Sequence, residues 1–184
     1  MGLIKESKRY HDTADKILKS TGLLDLLSRY GEVKPIGAYS YDLMLSGDID
    51  IHVYSDNHCK QKAVEILNQL ISIGKFQKVE IDDLVSFPKF KDLPNGYYIG
   101  LRIPVDGFVE RWRVDIWFLA SGDLSSMKHY EIFKQGIKPD QKKIILELKQ
   151  YKKDNNLKFP STVIYDAVME EGIKSLEEFK KKIV

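Results

Sequence analysis

The sequence predicts an α+β fold, a mixed β-sheet with helices packed on it and a helical C-terminal extension. Three observations predict it. Apolar residues recur at helical spacing near the N-terminus and again up to Gly74. Between residues 76 and 119 the pattern changes to alternation, broken by turn-rich joints. From about Leu124 helical segments return, separated by Pro139 and Pro160. This order of elements suits an α+β core followed by helices.

Each element has its own reason. Residues 3–19 read as a charged helix, and 23–30 as a short second one carrying Leu23, Leu24, Leu26 and Leu27, closed by Gly31 in the place of a C-terminal cap. A short strand is expected at 33–37, then a turn running into a brief helix over 38–45, then a strand at 48–54. In the helix expected at 57–73, Ala63, Ile66, Leu67, Leu70 and Ile71 fall on one face and Gly74 ends it. Strands follow within 76–87, 96–104 and 109–119. The joint at 88–95 is turn-rich, and Pro104-Val105-Asp106-Gly107 contains an Asp-Gly pair that favours a hairpin. Helices are expected at about 125–135, 140–154, 161–171 and 175–183. The expected division is a core over 1–120 with a helical part over 121–184 packed on it.

Composition bounds the function. With 29 basic and 27 acidic side chains among 184 residues, the net charge is +2, too balanced to argue for a nucleic-acid partner from bulk charge. Cys59 is alone, so neither an internal disulfide nor a cysteine-based zinc site can form, and a reducing cytoplasm is expected. Apolar stretches fall short of membrane-spanning length, and the charged sequel to Gly2 does not suit myristoylation.

The informative stretch is Asp48-Ile49-Asp50-Ile51-His52-Val53. In a strand, residues two apart share a face, so Asp48 and Asp50 project together while Ile49, Ile51 and Val53 enter a core. Adjacent carboxylates repel unless a cation lies between them, and a hard divalent ion suits oxygen ligands. A second run, 111–119, places Trp112, Val114, Ile116 and Phe118 on one face and Arg111, Arg113, Asp115 and Trp117 on the other. Asp115 in mid-strand is explained either by an ion pair with Arg102, Arg111 or Arg113, or by completing a metal site with Asp48 and Asp50.

Gly37, a turn and short helix, the Asp48-x-Asp50 pair and a later strand carboxylate at Asp115 together resemble the polymerase-beta-type nucleotidyltransferase superfamily, including aminoglycoside- and lincosamide-type antibiotic nucleotidyltransferases. The likeness covers roughly 33–119 and implies a nucleotidyltransferase fold. It implies that Asp48, Asp50 and Asp115 are catalytic and hold Mg²⁺, with two ions expected. It implies that Gly37, Ala38, Ser40 and Arg113 bind the nucleotide. It implies transfer of a nucleoside monophosphate from an NTP such as ATP to a hydroxyl of a small-molecule or protein acceptor, with Asp115 placed to take the hydroxyl proton. Ala38 departs from the family's usual Ser or Gly. That departure is the feature favouring the alternative, a weak or inactive relative acting as a nucleotide-binding or protein-interaction module.

The remaining polar residues have plainer readings. His52 reads as a partly exposed structural histidine and His129 as an ordinary helix residue. Tyr39 and Tyr41 could stack on a base but suit turn packing. The lysine clusters, Lys149 among them, read as the solvated faces of amphipathic helices.

Overall fold

The computed structural model describes residues 2–88, 93–123 and 127–183. Helix α1 (Leu3–Thr21) ends at Gly22, whose backbone turns left-handed (φ 62°) and leads directly into α2 (Leu23–Leu27). Strand β1 (Glu32–Ile36) follows, then α3 (Gly37–Ser40), a single turn. Strand β2 (Asp48–Ser55) leads to α4 (Lys60–Ile73), which starts later than the sequence suggests because Cys59 keeps an extended backbone. Next come β3 (Lys78–Asp83), β4 (Gly96–Ile103) and β5 (Trp112–Ala120). The C-terminal part carries α5 (Lys128–Lys134), α6 (Pro139–Asp154), α7 (Ser161–Met169) and α8 (Leu176–Ile183). Of the expected elements, 89–92 of one joint and 124–126 at the start of one helix lie outside the described residues.

Among the described residues five strands form one mixed sheet, in the order β1-β2-β5-β4-β3. Only the β2–β5 pair is parallel; the others run antiparallel. The alternation in sequence sets the two faces. Ile49, Ile51, Val53, Ile99, Leu101, Val114, Ile116 and Phe118 point to one side, where Ala14, Ile17 and Leu18 of α1 and Ala63, Ile66 and Leu70 of α4 close over them. A second apolar cluster joins Tyr41, Leu43 and Leu45 to Phe133, Ile145, Leu148, Ile164, Tyr165 and Phe179. The C-terminal helices thereby grip the segment between α3 and β2. No helix among the described residues is long and apolar enough to cross a membrane.

Three local expectations are corrected. Ile71 is 56% exposed, because the buried stripe of α4 runs through Ala63, Ile66 and Leu70 and Ile71 lies beyond its edge. The strand expected from 109 starts at Trp112, leaving Val109 fully exposed in the connection. The Asp106-Gly107 pair does form a turn, with the Phe108 N–H donating to the Val105 carbonyl and Gly107 at φ 80°, but inside a longer loop rather than a tight hairpin.

Candidate active site

Parallel pairing of β2 with β5 sets Asp50 opposite Asp115, Asp48 opposite Arg113 and His52 opposite Trp117. Paired residues on neighbouring strands share a face, so the register that buries Ile49, Ile51, Val114 and Ile116 on one side gathers three carboxylates on the other. One oxygen from each of Asp48, Asp50 and Asp115 lies within 4.8 Å of the others. Burial, with the nearby charges of Asp48 and Asp115, pushes the Asp50 carboxyl up to about 7. Burial and Asp48 likewise raise that of Asp115.

Donors flank the outer carboxylates. Arg113 Nη2 donates to Asp48 Oδ2 at 2.5 Å. Tyr98 donates its hydroxyl to Asp115 Oδ1 at 2.9 Å, and Arg102 Nη1 reaches the same oxygen at 3.3 Å. Of the partners weighed for Asp115, Arg102 is the one that reaches it, while Arg113 pairs with Asp48 instead, and the acidic cluster is present alongside both pairs. The other oxygen of Asp48, Oδ1, is buried without a hydrogen-bond partner among the described residues. A buried anionic oxygen without a partner, beside two further carboxylates, fits a hard divalent cation such as Mg²⁺.

Gly37 explains itself here. Its backbone is left-handed (φ 67°), and a Cβ at this position would lie 2.4 Å from Asp50 Oδ2. Only glycine lets the turn approach the carboxylate this closely. Gly37, Ala38, Asp48 and Asp50 line one cleft of about 500 Å³. Ser40 does not share it: its hydroxyl donates to the Pro35 carbonyl at 2.5 Å, and it lines a neighbouring hollow with His11 and Tyr39. The single turn of α3, opening on the left-handed Gly37, brings Ser40 back toward Pro35 instead of into the cleft.

The far wall of the cleft comes from the C-terminal helices: Lys128 and His129 of α5, Lys149 of α6, and Ser161, Thr162, Tyr165 and Asp166 of α7. Lys149 corrects the reading of a solvated lysine. Its Nζ donates to the Leu43 carbonyl at 2.7 Å and to the Tyr165 hydroxyl at 3.4 Å. Burial pulls its pKa down to about 8, against the opposing attraction of Asp48 and Asp50. Its position was foreshadowed by the neighbours it keeps on the helix one turn earlier, the fully buried Ile145 and Leu146. His129 pairs through Nε2 with Asp166 Oδ1 at 2.9 Å, an oxygen that Lys128 also reaches at 2.9 Å. His52 is 2% exposed rather than partly open. Its Nδ1 lies 2.9 Å from the Tyr54 hydroxyl, and burial pulls its pKa down to about 4, so it is a neutral interior residue. Tyr41 lines the cleft but is mostly buried, its ring stacked on Phe133 and edge-on to Tyr165.

No protein-family model and no curated protein matches the chain. Solved structures do match it. The RNA terminal uridylyl transferase Cid1 superposes with a TM-score of 0.52 at 20% identity, over 81% of this chain and 40% of that one. The non-canonical poly(A) polymerase GLD-2, in its complex with GLD-3, gives 0.54 at 15% identity, over 96% and 63%. GLD-2 with RNP-8 gives 0.53 at 12% identity, over 98% and 66%. The fold is that of the polymerase-beta-type nucleotidyltransferases. The chain spans between 40% and 66% of the length of these nucleotidyltransferase-fold chains. The likeness shows the fold and lends nothing to the antibiotic-modifying subtype.

Proposed function

We propose that the cleft transfers a nucleoside monophosphate from an NTP to a hydroxyl of an acceptor, the acceptor oxygen bonding to the α-phosphorus as the α–β anhydride bond breaks and pyrophosphate leaves. The observation that carries this reading is the convergence of Asp48, Asp50 and Asp115 from two in-register parallel strands, with Asp48 Oδ1 left buried and unpartnered. A purely structural trio of carboxylates gains nothing from such proximity, since each raises the energy of ionising the next.

Asp48, Asp50 and Asp115 would hold one or two Mg²⁺ ions, two being the number that the resemblance implies. When bound, Mg²⁺ supplies neutralisation of the transferring phosphate and a more acidic acceptor hydroxyl. The chain's own groups do the rest. Gly37 and Ala38 bring bare backbone against the cleft, and Lys149 presents an ammonium from the opposite wall where a triphosphate would add its charge. Phosphate there would restore the proton that burial loosens on Lys149. Arg113 contributes positive charge beside Asp48. Ser40 is outside this set, so its hydroxyl does not replace the one missing at Ala38. Asp115, held on its β4 side by Tyr98 and Arg102, is the carboxylate to which the resemblance gives the acceptor's proton.

The neighbours' names bring RNA back among the acceptors to be tried, although net charge alone did not suggest it. The test is incubation of the protein with Mg²⁺ and each labelled NTP, against RNA oligonucleotides, small polyols and proteins. Mg²⁺-dependent label transfer that disappears in Asp50→Asn supports the reading; transfer that survives Asp50→Asn sinks it. Nucleotide binding with no transfer to any acceptor would support the alternative that Ala38 favours, a binding module.

A further inference from the structure

Strand β4 alternates between core and open face, so Tyr98, Gly100 and Arg102 share the side that carries the carboxylates. Gly100 lies directly opposite Asp115, with Tyr98 and Arg102 on either side of it along the strand. Each reaches diagonally to one oxygen, Asp115 Oδ1, the hydroxyl at 2.9 Å and the guanidinium at 3.3 Å. They can meet there because position 100 has no side chain: a Cβ would lie 2.6 Å from the Tyr98 hydroxyl and 2.9 Å from Glu80 Oε1. Arg102 is anchored in turn by Glu80 at 3.5 Å, and Glu80 by Lys78 at 2.6 Å. The Tyr98 ring rests on Trp117, centroids 5.4 Å apart. Both donors are thus held before they reach the carboxylate.

We propose that Tyr98 and Arg102 are positioning residues for Asp115. They hold Oδ1 from the β4 side and keep the carboxylate turned toward Asp48 and Asp50 against the repulsion of those two charges. The inference rests on the transferase reading above, in which Asp115 is a metal ligand. Partners of this kind, one bond removed from the ligand atom, commonly set metal affinity as strongly as some ligands do.

The experiment uses the full chain and Mn²⁺ alone as the probe, its binding read by electron paramagnetic resonance, in wild type, Asp50→Asn, Tyr98→Phe and Arg102→Gln. Tyr98→Phe removes one hydroxyl and no charge. The expected result is a loss of Mn²⁺ affinity of about tenfold, with an unchanged melting temperature. At saturating metal, kcat falls while the KM for NTP holds. Arg102→Gln lowers kcat in the same direction and stands in should Tyr98→Phe fold poorly. Mn²⁺ binding and kcat equal to wild type in a folded Tyr98→Phe overturn the inference, while sensitivity to Asp50→Asn leaves the transferase reading standing. Wild type that binds no Mn²⁺ overturns both.

Discussion

The two faces of strands β2 and β5 are built from alternate residues of the same chain segments, yet they are opposites. On one, Ile49, Ile51, Val114 and Ile116 are fully buried under α1 and α4. On the other, Asp48, Asp50 and Asp115 crowd together, with one oxygen lacking a hydrogen-bond partner among the described residues. Burial of each large apolar side chain contributes about 1.5–3 kcal/mol, so the apolar face holds the strands in register regardless of what the polar face does. The polar face can then keep an arrangement that is unfavourable by itself. Stability and chemistry are separated by a single step along the strand.

Breaking the polar face has the largest expected effect. Asp50→Asn lowers Mg²⁺-dependent nucleotide transfer by on the order of a thousandfold or more, since several kcal/mol of charge stabilisation depend on the ion it helps to hold. Circular dichroism of the same variant is expected to match wild type. Breaking the apolar face has the reverse signature. Ile116→Ala destabilises the fold by about 3 kcal/mol in urea titration, while the folded fraction still binds Mn²⁺.

The cleft's far wall sharpens the comparison, because Lys149 comes from neither face. Lys149→Met is expected to raise the KM for NTP about tenfold, the worth of one charged hydrogen bond, with a smaller change in kcat. Equal KM values in the two proteins would remove Lys149 from the phosphate site.

The smallest effect is on stability against pH. The Asp50 carboxyl is raised from 3.8 to about 7, so between those values the folded protein keeps a proton that the unfolded chain has released. Its stabilising contribution is complete below the lower value and is lost as pH rises through the upper one. Metal-free wild type should therefore melt lower at about pH 8 than at about pH 5 by a few degrees more than Asp50→Asn does, and Mg²⁺, which binds the ionised cluster, should remove that excess. A metal-free melting curve with the same pH dependence in both proteins contradicts the strained carboxylate cluster.

Much of this was legible in the residues. Period-two alternation placed Asp48 with Asp50 and separated Asp115 from Val114 and Ile116, and Gly37 was singled out by its place before the pair. The helices were located by apolar spacing, though Ile71 shows that spacing marks a stripe only to within one residue of its edge. Ser40 and Lys149 lie elsewhere than expected for different reasons. Ser40 turns back within one helical turn to donate to Pro35, a local side-chain direction that residue order does not encode, whereas what packs on the face of α6 carrying Lys149 is set by distant parts of the chain. Tyr98 and Arg102 lay on a readable face of β4, but nothing in β4 says which strand lies beside it.

The sequence by itself determined which residues could share a face, because alternation in a strand is a local property of the backbone. It therefore determined that two carboxylates stand together and that a third stands alone on a later strand. Only the tertiary structure decided that β5 lies beside β2, parallel, with Asp115 opposite Asp50. That pairing depends on burying both apolar faces under the same helices, a condition on many distant residues at once, and it is what turned a pair of repelling charges into a site.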